Sequence, residues 1–236
     1  MNVKKNIAVI VAGGKGTRMN SDISKQFMFI DERPIIAYTV EAFDSHKEID
    51  EIILVLPENE LEYYRKNIMN KYPFKKLKAL VKGGSTRQES VYNGLLGAED
   101  CEVVLIHDGV RPFVSEKIIS EGIAYAKVHG GAACGVTPKD TIKIKGEDNL
   151  SLDTPDRNKL FAVQTPQCFL FPLIKEAHEK IREKNIAVTD DTMVVEAMGK
   201  SVYLYEGSYD NIKITTGEDM IIAEGIVKRV KSNYAD

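Results

Sequence analysis

Residues 7–19 read Ile-Ala-Val-Ile-Val-Ala-Gly-Gly-Lys-Gly-Thr-Arg-Met, an apolar run that breaks into a glycine-rich, basic turn. A short continuous apolar segment bounded by glycine suits a strand buried on both faces. The glycines that follow let backbone N–H groups approach phosphate oxygens closely. The turn is not a Walker loop, because Lys15 precedes Gly16 and no Gly-Lys-Ser/Thr follows. It is not a dinucleotide fingerprint either, since Met19 stands where the third glycine belongs.

Working outward, short β-branched runs alternate with longer stretches of helical period, the pattern of a mostly parallel α/β sheet with helices on both faces. Strands are expected near 7–12, 51–56, 77–81, 103–107 and 132–136, with helices near 34–45, 58–71, 85–98 and 115–129 between them. Beyond Val136 the rhythm breaks. Thr141-Ile142-Lys143-Ile144-Lys145, Gly146-Glu-Asp-Asn and Leu150-Ser151-Leu152 read as a hairpin arm. Its alternation is too weakly apolar for a core strand, so the arm is expected to project and to find a partner on another subunit; an exposed edge hairpin is the alternative. Helices near 172–184, 190–198 and 218–230, around strands near 202–205 and 211–215, complete a chain expected to form one domain over residues 1–236.

The 236 residues are 43% apolar and 28% charged, an ordinary globular balance. A net charge of −3 argues against a general nucleic-acid binder, so an anionic substrate must be met by local cations. Cys101, Cys134 and Cys168 lie far apart without a Cys-x-x-Cys pair, which suggests neither a disulfide framework nor a zinc knuckle and fits a reducing, cytoplasmic compartment. Lys4-Lys5 before an apolar run mimics a signal peptide, but the run is too short and leads to no cleavage site. No stretch has the ~20 apolar residues of a membrane span.

Arg18 and Lys25 add two cations to the glycine-rich loop, although exposed basic residues need no function. Asp108 follows Val103–His107 at the carboxyl end of an expected parallel strand, where open α/β sheets bind ligands. It is a candidate Mg²⁺ ligand, with a helix cap or turn as the plainer alternative. His107 has no second His or Cys at ligand spacing and reads as structural. No Ser-His-Asp or Cys-His set is evident, which suits a reaction whose nucleophile belongs to the substrate. A phosphate monoester, with a second pKa near ~6, attacks at pH 7 without a protein base.

Read together, Ala12-Gly13-Gly14-Lys15-Gly16-Thr17-Arg18-Met19, Ser24-Lys25-Gln26, His107-Asp108-Gly109-Val110-Arg111-Pro112, Asp140-Thr141-Ile142-Lys143, Gln164-Thr165-Pro166-Gln167, Thr189-Asp190 and Asp210-Asn211-Ile212-Lys213 resemble the 2-C-methyl-D-erythritol 4-phosphate cytidylyltransferase family from first strand to last helix. The ribitol 5-phosphate cytidylyltransferases of wall teichoic acid synthesis are resembled slightly less closely. The resemblance implies a Rossmann-like nucleotidyltransferase fold, CTP and a sugar-alcohol phosphate as substrates, Mg²⁺ as cofactor, and a homodimer whose arms at about 139–157 cross a two-fold axis. It further implies that Ala12, Gly13 and Gly14 line the triphosphate site, that Gly84 and Ser90 hold cytosine, and that Asp108 and Gly109 meet ribose and Mg²⁺. Arg18, Lys25 and Lys213 would surround the α-phosphate with Thr165 nearby. Thr141, Arg157 and Thr189 would hold the acceptor, the first two from the partner chain. The sequence departs from the family's commonest pattern at Val11, Gly13, Ser85 and Gly109-Val110.

An NAD-type dehydrogenase would need a third glycine and an acidic residue closing the second strand, which instead ends Leu56-Pro57. A regulatory ligand-binding domain would not require Arg18, Lys25 and Lys213 together.

Overall fold

The computed structural model describes residues 4–13 and 24–233. Among them the first half runs β1 (Lys5–Val11), β2 (Phe29–Ile30), β3 (Arg33–Pro34), α1 (Ile35–Asp44), β4 (Glu51–Leu56), α2 (Leu61–Tyr64), β5 (Leu77–Lys82), α3 (Arg87–Leu96) and β6 (Cys101–Asp108). The second half runs α4 (Glu116–His129), β7 (Gly131–Val136), β8 (Ile144–Lys145), β9 (Ser151–Asp153), β10 (Ala162–Leu170), α5 (Phe171–Glu183), α6 (Asp191–Glu196), β11 (Tyr203–Glu206) and α7 (Gly217–Asn233).

The main sheet has the order β11-β7-β10-β6-β1-β4-β5. Its strands pair in parallel except β10, which lies antiparallel to both β6 and β7. The decisive run behaves as its composition requires: alternate residues of β1 point to opposite faces, and both faces are covered. Ala8 and Ile10 join Ile36, Val40 and Phe43 of α1 and Ile119 and Ile123 of α4. Ile7, Val9 and Val11 join Val91 and Leu95 of α3, Ile174 and Ile181 of α5, and Val194 of α6. A third cluster packs Ala223 and Val227 of α7 against Ile30, Ile35 and Ile214.

Three segments differ from the sequence reading. The expected helix near 58–71 is a 3₁₀ turn at Glu58–Glu60, then α2, then a π turn at Arg65–Met69, which still buries Tyr64 and Ile68. The expected strand near 211–215 is irregular chain, held by Ile214 N–H donating to the Val110 carbonyl at 2.9 Å and by the buried Asn211 side chain. Asn211 and Ile214, three residues apart, are its buried positions, so it lacks the two-residue alternation of a strand, and among the described residues it joins no ladder. Strand β10 was not among the expected strands. Its centre is polar, and Gln164, Thr165 and Gln167 are all buried, so its pattern does not look like a core strand.

The arm is a short hairpin pairing Ile144 with Asp153 and Lys145 with Ser151. It leaves Ile142, Ile144, Leu150 and Leu152 exposed. Its root is tied to the body by Tyr209, whose hydroxyl donates to the Thr137 carbonyl at 2.8 Å and whose ring lies under the Lys139 ammonium.

Candidate active site

The register of the sheet brings the ends of four parallel strands to one place. Val11 pairs with Asp108, so the loops after β1 and β6 leave side by side, and Gly109 N–H donates to the Val11 carbonyl at 2.8 Å. Strand β4 lies on the other side of β1, so the chain reverses direction across the sheet between β1 and β6, where open α/β sheets leave a crevice. A cleft of about 870 Å³ opens there, a size suited to a nucleotide. Its lining includes Ala12, Gly13, Lys25, Gly84, Ser90, Asp108 and Lys213.

Two glycines are required by close approach. A Cβ on Gly109 would stand 2.7 Å from the Ala12 Cβ, so these neighbouring loops meet only without it. A Cβ on Gly84 would stand 2.2 Å from the Glu89 Cβ. Glu89 belongs to a capping box that starts α3: Thr86 accepts from the Glu89 N–H at 3.1 Å, and the Glu89 carboxylate accepts from the Ser85 N–H at 2.7 Å and the Ser85 hydroxyl at 2.6 Å. Ser85 is thus engaged in holding the helix entry. Ser90 completes the turn, accepting from Gly84 N–H at 3.0 Å and donating to the Thr86 carbonyl at 2.9 Å.

At the cleft floor three cations converge on Asp108. Arg87 Nε lies 3.1 Å from Oδ1, while Lys213 Nζ and Arg111 Nε lie 2.9 and 3.6 Å from Oδ2. Burial pushes this carboxyl up, but Arg87, Lys213 and Arg111 outweigh it and hold it well below the ordinary carboxylate range. The carboxylate is therefore ionised, and the cations exceed it in charge, which provides the local positive field that the acidic chain needs for an anionic ligand.

Behind Asp108 a buried network orients it. Asp108 N–H donates to Thr165 Oγ1 at 3.0 Å, and Thr165 lies 3.1 Å from His107 Nδ1. His107 Nε2 lies 3.0 Å from the Arg111 carbonyl, which can only accept. Nε2 must then carry the proton, and the neutral ring accepts the Thr165 hydroxyl at Nδ1. Asn211 Nδ2 donates to the Thr165 carbonyl at 2.9 Å, and Arg111 Nη1 donates to the Asn211 carbonyl at 2.7 Å. The segment carrying Lys213 is thereby anchored to the same strand ends. His107 is structural in this geometry.

Burial lowers the His107 pKa to about 4. Because the folded value lies below the unfolded one near ~6.5, its contribution is complete above pH ~6.5 and is lost as pH falls toward about 4, a loss of about 3 kcal/mol. Urea unfolding at several pH values should show this decline in the parent and a shallower one in His107→Asn. Parallel pH dependences in the two proteins would count against it.

Thr141, Arg157 and Thr189 lie apart from the cleft lining. Arg157 Nη2 donates to Thr141 Oγ1 at 3.3 Å, both exposed on the arm segment. Thr189 is exposed just before α6. Gly14 and Arg18 fall outside the described residues. Sequence reasoning gave no role to Arg87 or Asp191, which meet at 2.8 Å across 104 residues of chain. No local pattern could have signalled that pair.

A Mg²⁺ ion must find hard oxygen donors here. Among the described residues no group of three or more His, Cys, Asp or Glu side chains could hold a metal, and Asp108 alone offers a buried carboxylate on the cleft. One carboxylate fits the usual Mg²⁺ mode, in which substrate phosphates and water supply the other ligands.

A family model for 2-C-methyl-D-erythritol 4-phosphate cytidylyltransferase matches residues 6–229. A protein of that name from Clostridium perfringens (strain SM101) is 55% identical over 224 residues, covering 95% of this chain and 99% of the relative. One from Clostridium botulinum (strain ATCC 19397) is 56% identical over 229 residues, covering 97% of this chain and 100% of the relative. Among solved structures, the 4-diphosphocytidyl-2C-methyl-D-erythritol synthase of Anaerococcus prevotii superimposes with a TM-score of 0.84 at 35% identity, covering 95% of this chain and 96% of that one. The Thermus thermophilus 2-C-methyl-D-erythritol 4-phosphate cytidylyltransferase does so with 0.78 at 30% identity, covering 96% and 100%. With the fold and the sequence matched along nearly the whole chain, this protein belongs to the 2-C-methyl-D-erythritol 4-phosphate cytidylyltransferase family.

Proposed function

We propose that the chain transfers the cytidylyl group of CTP to 2-C-methyl-D-erythritol 4-phosphate, releasing pyrophosphate, in the synthesis of isoprenoid precursors. The observation that carries this reading is the cation-ringed Asp108 beside the glycine loop, in a chain of this family. An oxygen of the acceptor phosphate attacks the α-phosphorus of CTP. The new P–O bond forms as the bond from that phosphorus to the α,β-bridging oxygen breaks, and the electron pair leaves with pyrophosphate. The dianionic acceptor needs no protein base.

The protein's task is to place the two phosphates and to stabilise the negative five-coordinate phosphorus more strongly than the ground state. Backbone N–H groups of Ala12, Gly13 and Gly14 receive the triphosphate, and the turn of Gly84 and Ser90 receives cytosine. Asp108 and Gly109 take the ribose side, with Thr165 orienting Asp108 through its N–H. Arg18, Lys25 and Lys213 face the reacting phosphorus. Asp108 would hold Mg²⁺, whose chemistry there is to neutralise and tie down the triphosphate. Lys213, which pairs with Asp108 at 2.9 Å, is placed to turn to the α-phosphate.

Thr189 grips the acceptor phosphate from the chain's own loop. Thr141 and Arg157 reach it from the partner of a homodimer built through the arms at 139–157, with residues 1–236 acting as one nucleotidyltransferase domain. The exposed apolar side chains of the arm support that assembly. The three buried, unpaired cysteines support a cytoplasmic location. No described helix is long and apolar enough to cross a membrane.

The acceptor is tested by side-by-side kinetics at saturating CTP and Mg²⁺, following pyrophosphate. A pocket tuned to a branched four-carbon chain discriminates by roughly 10–200-fold against one carbon more, so kcat/KM for 2-C-methyl-D-erythritol 4-phosphate should exceed that for D-ribitol 5-phosphate by at least about tenfold. Equal or reversed preference would overturn the acceptor assignment.

A further inference from the structure

Asp191 stands in none of the roles above, yet it is the most deeply buried carboxylate near the site, at 1% exposure. Its Oδ1 lies 3.2 Å from His178 Nε2, and its Oδ2 accepts from Arg87 Nη1 at 2.8 Å. His178 is wholly buried, and its Nδ1 has no hydrogen-bond partner among the described residues, so its polar contact in the structure is directed at Asp191. Arg87, the first residue of α3, uses Nε on Asp108 at 3.1 Å while Nη1 holds Asp191. Burial opposes the charge on Asp191, and Arg87 and His178 overcome it, holding the carboxyl below its ordinary range.

The loop behind Asp191 is equally fixed. Gln167 Oε1 accepts from Asp191 N–H at 2.9 Å and Thr192 N–H at 3.1 Å, and its Nε2 donates to Asp190 Oδ2 at 2.9 Å. Asp190 caps α6 by accepting Met193 N–H at 3.0 Å. Thr189, two residues before Asp191, thus hangs from a hydrogen-bonded turn whose inward Asp191 side chain is joined through Arg87 to Asp108 on the nucleotide side. A planar guanidinium bonded to two carboxylates through different nitrogens passes a displacement of either to the other.

We propose that Asp191 is a positioning residue for the reaction: through Arg87 it links the Thr189 acceptor loop to Asp108, so that filling the nucleotide cleft strengthens acceptor binding and the reverse. The coupling is reciprocal by thermodynamic necessity. It rests on the placement of nucleotide and acceptor given under the proposed function.

The test is calorimetry on the full chain with Mg²⁺, using α,β-methylene CTP, which cannot react, and 2-C-methyl-D-erythritol 4-phosphate. In the parent, the analogue should tighten acceptor binding by at least about fivefold. In Asp191→Asn, which keeps shape and loses charge, and in Arg87→Lys, which keeps charge and loses the two-pronged geometry, that factor should fall below about twofold. Thermal unfolding establishes that each variant is folded, and if the buried Asp191→Asn is not, Arg87→Lys carries the test. Undiminished coupling in a folded variant overturns the proposal, as does absence of coupling in a parent that binds both ligands. A parent that binds neither ligand overturns instead the placement of the substrates, and the linkage with it.

Discussion

Lys213→Ala should lower kcat by on the order of 10²–10³-fold, the usual effect of removing one donor from a developing phosphoryl charge, with a far smaller change in CTP affinity. Lys213 is half-exposed and stands 2.9 Å from Asp108, which retains Arg87 and Arg111 after the substitution. No buried charge is orphaned, so the fold and its thermal midpoint should hold. Under the proposed function the loss falls on the transition state, because the ammonium would exchange its carboxylate partner for the α-phosphate as negative charge accumulates there. Steady-state kinetics with a direct measurement of CTP binding separates the two effects. Turnover within a few-fold of the parent would remove Lys213 from its role.

Mixing two inactive variants should restore activity. If the arms complete each other's sites as proposed, Arg157→Ala would damage the arm's contribution to the partner's site and Lys25→Ala the chain's own nucleotide side; each alone should lose about 10²-fold or more. In a mixed dimer with two-fold symmetry, one site combines the intact Lys25 of one chain with the intact Arg157 of the other, and the second site carries both defects. Random exchange should therefore recover about a quarter of the parent rate per chain. Activity of the mixture no greater than the sum of the separate variants, or full activity in a strictly monomeric preparation, would rule out shared sites. The arm geometry motivates the experiment: Arg157 and Thr141 contact each other at 3.3 Å and lie outside the lining of the cleft in their own chain.

Local sequence was most informative where the constraint is local. The run Ile7–Val11 needed apolar partners on both faces, and each of its residues is buried in one of two opposed clusters. The glycine loop, Asp108 and Lys213 were legible as candidates, and Lys25, Gly84 and Ser90 line the same cleft with them. Strand β10 was not legible. Gln164, Thr165 and Gln167 are buried because they bond to Asn211, Asp108 and Asp190, partners 23 to 57 residues away, and a polar run without visible partners reads as loop.

The same division holds for the chain as a whole. Hydrophobic period acts over a few residues, and it sufficed to determine the α/β class, the order of most elements and the hairpin arm. Only the tertiary structure decided that β10 enters the sheet antiparallel, that the segment 211–215 is pinned to Val110 and Thr165 without joining the sheet, and that Arg87 spans Asp108 and Asp191. Those outcomes depend on buried polar groups, whose cost is met only by particular partners brought from far along the chain, and that pairing leaves no periodic trace in the sequence.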